Sequence, residues 1–355
     1  MGSLASLVIL AHVFVPKVGR LTPPHQPQCL SWIYRWKMDN QDTVKEFVSG
    51  RSISVKMELT PEQQSMMREW SLSIPTLYML DICVVSATKL TNASLKENPR
   101  KANLINYLRE LDRPNNCFSY LFALMEKVSD SRGLDTDEEL ERKILSDLES
   151  MKKFFTSARI YESDEFILGF LKKLRGNPIE EKRADYLDFL RALNDQFELC
   201  NPISPAKRFK TAEKIIEQAG HFNLSRHHPI VAIGLASLYG NPAAKKLMKF
   251  KADPQKFDAE NALADVMLIT RFAGIKLEIE QLGRDGVGGY LRSNFITDDN
   301  GLIEIIKCFT PQVVKHIDNH DGRKTHTTMT VKLKYLLTDI ETEEYDRLFN
   351  LLDQG

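Results

Sequence analysis

Residues 74–86 read IPTLYMLDICVVS, a run that is apolar almost from end to end and carries a single charge, Asp81. Pro75 and Ser86 bound it. A short apolar run between such breakers is what a strand buried on both faces looks like. Strands of that kind belong to parallel sheets covered by helices, so this stretch restricts the architecture more than any other. It also poses a question: why is an ionisable group inside it?

The neighbouring segments alternate between strand and helix patterns. Arg51 to Leu59 (RSISVKMEL) alternates as a strand does. Thr60 then offers an N-cap, Pro61 a first helical position, and Glu62 and Gln63 a polar first turn, which predicts a helix. NPRKANLINYLRELD is an amphipathic helix, and Cys117 to Asp130 (CFSYLFALMEKVSD) reads as another, mostly apolar one. From Asp135 to about Phe197 the helices become heavily charged with mixed signs, as in an inserted helical subdomain. Three further helices are expected to end at Gly220, Gly240 and Gly274. After Pro311, TTMTVKLKYLL alternates like one more strand and TEEYDRLFNLL closes as a helix. This alternation predicts the α/β class.

Four carboxylates stand in apolar company: Asp81, Glu126 after YLFALM, Asp265 inside NALADVMLI, and Asp299 beyond NFIT with Asp298 beside it. An ionised carboxylate in such a setting is costly unless it is paired or bound to a cation. Each one alone has an ordinary explanation as an N-cap, an edge position or a buried pair with Arg. Four together point elsewhere, because ligands of open α/β sheets gather at the carboxyl ends of the strands, where Asp81 and Asp299 would project. Asp258 lies seven residues before Asp265, two helical turns, roughly 10 Å along one face. That makes Asp265 the deeper group and Asp258 an outer one, with Asn261 placed to hydrogen-bond Asp265. An oxygen-only donor set suits a hard cation, Mg²⁺ or Mn²⁺.

The order Asp81, Glu126, Asp265, Asp299 resembles the acidic quartet of PIN-domain nucleases. LYMLDICVVS resembles the family's first strand with its terminal Asp. NALADVMLI is similar to its apolar helix with the third acid, and FITDDNGLIEI to its T-x-D motif, in which Asp299 rather than Asp298 takes the family position. Only four short blocks between Ile74 and Phe309 carry the likeness, and Glu180, Glu181 or Glu213 compete with Glu126 for the second place. The resemblance implies a small parallel sheet flanked by helices and metal-dependent cleavage of RNA, single-stranded or structured, by a metal-activated water. It implies Asp81, Glu126, Asp265 and Asp299 as catalytic metal ligands, with Asp298 and Asp258 near the metal. Family habit adds a role as a toxin or in phage defence, with an inhibitor or partner protein. The chain departs from the family in its long interval between Glu126 and Asp265. The expected domains are therefore an N-terminal strand and helix (38–73), a PIN-like domain (74–134 and 202–310), a helical insertion (135–201) and a C-terminal strand and helix (311–355). The alternative is a catalytically inactive PIN-like scaffold that binds RNA or protein. A dehalogenase-type phosphohydrolase is disfavoured, since it needs D-x-D where the chain has Asp81-Ile82-Cys83.

Composition narrows the classes further. With 43% apolar and 27% charged residues the chain is globular, and 48 Lys and Arg against 48 Asp and Glu leave no global field for nucleic acid. RNA contact would rest on local basic runs at Lys96–Lys101, Ala206–Lys210 and Ala243–Lys251, of which the last stands just before Asp258. Tyr239 and Phe250 near it fit a core stripe, with base stacking as the other use. Five scattered cysteines without a C-x-x-C pair suggest reduced thiols in a cytoplasm and argue against a disulfide framework or a zinc site. GRDGVGG lacks the Lys-Ser/Thr of a phosphate loop, HIDNHD (His316 to Asp321) reads as a turn, and no Ser or Cys has nucleophile-elbow surroundings. Residues 1–37 hold an apolar stretch, SLVILAHVFV, too short for a bilayer and without a positive n-region. They are read as a non-native or disordered extension ahead of Met38, and no membrane association is expected.

Overall fold

The computed structural model describes residues 46–49, 52–55, 59–129, 135–176, 179–319 and 322–353. Residues 1–37, and the reading made of them, lie outside the described residues. The chain divides into two units, Met1–Ile74 and Pro75–Gly355. In the first, β1 (Glu46–Ser49) and β2 (Ser52–Val55) pair antiparallel, so the expected strand has a partner that its pattern did not reveal. Helix α1 (Pro61–Ser73) opens on a capping box in which the Thr60 side chain accepts from Gln63 N–H and the Gln63 side chain accepts from Thr60 N–H.

The second unit is built on a four-stranded parallel sheet. Its strands are β3 (Thr76–Leu80), β4 (Asn116–Ser119), β5 (Arg159–Ile160) and β6 (Arg292–Ile296), in the order β5-β4-β3-β6. All residues of β3 and β4 are buried, as a strand covered on both faces requires. The apolar run at 74–86 is only half strand, because Asp81 ends β3 and α2 (Ile82–Ala87) follows at once. Helices α3 (Asn92–Glu97) and α4 (Pro99–Leu111) complete the crossover to β4. The helix expected over Cys117–Asp130 divides as well: β4 takes its first residues, and α5 spans Leu121–Ser129. Both faces of β4 and the start of α5 are buried, so no change of period marks the junction.

Helix α6 (Asp137–Phe154) then leads into β5, which joins the sheet beside β4. The stretch 135–201 is thus not an insertion outside the sheet, since it supplies a strand. That strand is two residues long and offers no alternation to read. Helices α7 (Asp164–Gly176), α8 (Arg183–Asp195), α9 (Pro205–His221), α10 (Pro229–Leu238), α11 (Pro242–Met248) and α12 (Ala259–Arg284) fill the interval to β6. Helix α9 ends at His221, one residue past Gly220, but the expected stop at Gly274 fails, since Gly274 lies inside α12, which runs on for ten residues. A mid-helix glycine costs only about 1 kcal/mol relative to Ala, and IKLEIEQLG continues in good helix formers. Gly240 does follow α10, at φ 79°. The Gly283 Cα faces a close backbone approach, for an added Cβ there would lie 2.0 Å from the Tyr290 carbonyl oxygen.

After β6 come α13 (Asn300–Ile306), β7 (Phe309–Asn319), β8 (Gly322–Val331), α14 (Leu333–Leu336) and α15 (Thr342–Asp353). Strands β7 and β8 form an antiparallel ribbon, so the C-terminal part holds two strands where one was expected. His316 to Asn319 belong to β7 rather than to a turn, while His320 and Asp321 lie outside the described residues. Helix α15 is tied down by the Tyr239 hydroxyl donating to Glu344 Oε1 at 2.7 Å and by Arg226 Nη1 donating to the Leu351 carbonyl. Among the described residues no helix is long and apolar enough to cross a membrane.

Candidate functional site

Sheet order fixes where a site can form. From β3 the chain steps outward through β4 and β5, then returns to lay β6 on the other side of β3. The carboxyl ends of β3 and β6 therefore flank the point where the winding reverses, the usual crevice of an open parallel sheet. Leu80 pairs in register with Ile296, and Asp81 N–H donates to the Ile296 carbonyl at 3.0 Å. The next residue on each strand enters the crevice, Asp81 from one and Thr297 from the other.

Asp81 is buried and occupies the N-cap of α2, yet its side chain makes no capping bond. Asp at this place ordinarily spends its carboxylate on the free N–H groups of the helix. Here Oδ2 accepts from the Thr297 hydroxyl and from the Cys83 thiol, the latter at 3.3 Å. Glu126 comes from α5 and Asp265 from α12, and both line the same pocket as Asp81 and Asp299. The four acids predicted from the sequence thus share one crevice. Glu180, one of the competitors of Glu126, is instead buried against Arg271, whose Nε donates to it at 2.9 Å.

The adjacent aspartates at the end of β6 both line the pocket but are held by different partners. Asp298 accepts from Arg100 Nε and Lys101 Nζ, each at 2.7 Å. Burial would raise its pKa, but these two cations outweigh burial and hold it below the usual carboxylate range. Asp299 caps α13, its Oδ1 accepting from Gly301 N–H at 2.7 Å and Leu302 N–H at 3.2 Å, and from Lys246 Nζ at 3.1 Å. Burial pushes it up, and Lys246 and the two amides together bring it below its ordinary value.

Asp265 and Glu126 move the other way. Burial raises Asp265; the Lys249 ammonium opposes this, while the charges of Asp81 and Asp299 add to it. Glu126 is pushed up to about 9, first by burial, then by its hydrogen bond with Asp81 and the charges of Asp81 and Asp265. At neutral pH Glu126 keeps its proton, as expected of a buried carboxyl crowded by others. Cys83 is pushed up to about 12 by burial and by the Asp81 charge, so it stays a thiol and is no nucleophile.

Two expectations about α12 are corrected. Asp258 does not line the pocket, because its Oδ1 caps the helix by accepting from Asn261 N–H at 3.0 Å. Asn261 and Asp265 are not bonded to each other; Lys249 Nζ bridges them, at 3.3 Å from Asn261 Oδ1 and 2.5 Å from Asp265 Oδ2. Tyr239 is fully buried and Phe250 packs against Phe257, so Tyr239 at least has no face for a base. The pocket also holds Cys83, which no sequence pattern singled out, and beside it the Thr of the T-x-D motif, Thr297, donates to Asp81.

The carboxylate oxygens suit a hard divalent cation in kind. As they stand, however, no three His, Cys, Asp or Glu side chains among the described residues are grouped closely enough to hold a metal ion. Lysines take oxygens of two of the four acids, Lys249 on Asp265 and Lys246 on Asp299.

Fold and site together define an α/β protein with an acid-lined crevice at the carboxyl edge of a parallel sheet. Comparison with family models, curated proteins and solved structures yields no match to the chain.

Proposed function

We propose that the chain is a PIN-like, Mg²⁺- or Mn²⁺-dependent nuclease that hydrolyses RNA phosphodiesters. One observation carries the reading: four acids from distant parts of the sequence line one crevice at the reversal point of the sheet, and the first of them leaves its capping bond unmade. A bound divalent cation would supply charge stabilisation at the phosphate and an activated water. Asp81, Glu126, Asp265 and Asp299 are the residues that would hold it. Thr297 and Cys83 both donate to Asp81 Oδ2, which fixes the plane of that carboxylate and directs its other oxygen. The pocket lining also includes Arg100, Lys246 and Lys249, cations suited to the phosphates of a nucleic-acid strand.

The test is single-turnover cleavage of a mixed RNA pool with Mg²⁺ or Mn²⁺, with chelator as control and folding checked by circular dichroism. Asp81→Asn and Asp299→Asn keep shape but remove charge, and each lowers the rate by orders of magnitude. Asp298→Asn has a smaller effect, since its partners are Arg100 and Lys101 at the rim. Wild-type rates in both Asp81→Asn and Asp299→Asn would make the acids structural. The lysines on Asp265 and Asp299 favour a second reading, a non-catalytic scaffold for RNA or protein, which gains if the wild type cleaves nothing with either metal.

A further inference from the structure

Lys249 ends α11 in the left-handed region, at φ 55° and ψ 28°. That place is ordinarily filled by Gly or Asn, because a Cβ is disfavoured there. Lys249 occupies it nonetheless. Its ammonium is held by two acceptors one turn apart on α12, Asn261 Oδ1 at 3.3 Å and Asp265 Oδ2 at 2.5 Å. One turn earlier on α11, Lys246 reaches Asp299 Oδ1 at 3.1 Å. One short helix and its cap thus deliver ammonium groups to two of the five pocket acids.

We infer that Lys249 is the resident counter-ion of the metal-free pocket and that a divalent cation binds by displacing its ammonium from Asp265. The inference rests on the metal-dependent reading above. Asp265 Oδ2, which accepts from the Lys249 ammonium, cannot serve both cations at once. An ion bound through Oδ2 must break this charge-assisted hydrogen bond, and one bound through Oδ1 would stand beside the ammonium and be repelled by it, so Lys249 lowers the affinity for the ion on either oxygen. The exchange makes Lys249 a positioning residue that sets metal affinity.

The full chain is titrated with Mn²⁺, free ion being followed by its paramagnetic resonance signal, for wild type, Lys249→Gln, Lys249→Gly and Lys251→Gln. Glycine suits the left-handed turn, so it removes the ammonium without straining the backbone. Lys251 is exposed, belongs to the same basic run and does not line the pocket. Both Lys249 variants are expected to bind Mn²⁺ about tenfold tighter or more, the factor matching one charge-assisted hydrogen bond, and Lys251→Gln to match wild type. Binding by the variants alone, with none in wild type, supports the inference in its strongest form. Equal or weaker binding by the Lys249 variants overturns it and leaves the metal reading standing. Equal tightening by Lys251→Gln overturns it too, as a general effect of charge. No Mn²⁺ binding by any of the four proteins overturns both. Should one Lys249 variant lose the wild-type circular dichroism, the other decides.

Discussion

Replacing Glu126 with glutamine reads the cost of holding this carboxyl buried among other acids in the crevice. The folded carboxyl has a pKa of about 9 against an ordinary 4.5. Between those values the folded chain keeps a proton that the unfolded chain releases. Stability must therefore fall as pH rises through this window, by about 1.4 kcal/mol per pH unit from this group. The slope depends only on the folded value lying well above 7. Glutamine resembles the protonated form and does not titrate. The stability of Glu126→Gln minus that of wild type should thus grow by about 2–3 kcal/mol from about pH 5 to about pH 7. Urea unfolding in chelator at several pH values measures it, and every other titrating group cancels in the difference as long as its own pKa is unchanged. Asp81→Asn should lower the folded pKa of Glu126 and so end the falling limb at a lower pH, because Asp81 supplies, after burial, a hydrogen bond and a charge that raise it. Parallel pH profiles for wild type and Glu126→Gln would refute the reasoning, for they would mean that Glu126 ionises at its ordinary pKa and does not share a crowded pocket with Asp81.

Saturating Mn²⁺ should raise the unfolding free energy of the wild type, by about 2.7 kcal/mol at a hundredfold excess over its dissociation constant, and Asp265→Asn should abolish most of that gain in thermal melts. Asp147→Ala should destabilise by about 3 kcal/mol or more in urea unfolding, because the buried Asp147 accepts from the Tyr120 hydroxyl at 2.6 Å and from Lys127 at 2.5 Å, and its loss strands both. Gly283→Ala should cost roughly 1–3 kcal/mol by the same assay, since its Cβ would fall on the Tyr290 carbonyl at 2.0 Å.

How much of this was legible in the sequence depends on the kind of signal each residue leaves. Asp81 and Asp299 were legible because an acid beside an apolar run is chemically out of place, and a parallel strand carries whatever follows it to one edge. Glu126 and Asp265 were legible for the same reason, with only weak local patterns. The strand β4 was hidden because both its faces and the start of α5 are buried, so that no period separates them. The strand β5 was hidden by its length, and its absence from the reading turned a sheet crossover into an apparent insertion. Asp258 was misplaced for a subtler reason. Helical geometry does set Asp258 and Asp265 on one face, but Asp258 is the N-cap of α12 and its carboxylate is used by the helix's own first turn. Asp81 is likewise an N-cap, and its carboxylate is not so used. Two aspartates with the same local sequence role thus part by what faces them: exposed amides for one, and the Thr297 hydroxyl and the crowded acids of the crevice for the other. Spacing along the chain carries none of that information, because the groups that decide it arrive from β6 and α5. Lys249 is the extreme case. A basic run predicts solvated charges, yet Lys246 from α11 and Lys249 from the left-handed turn after it both reach pocket acids. The acids mark the crevice in the sequence, whereas the cations that answer them are set by how α11 and its terminal turn lie against α12 and α13.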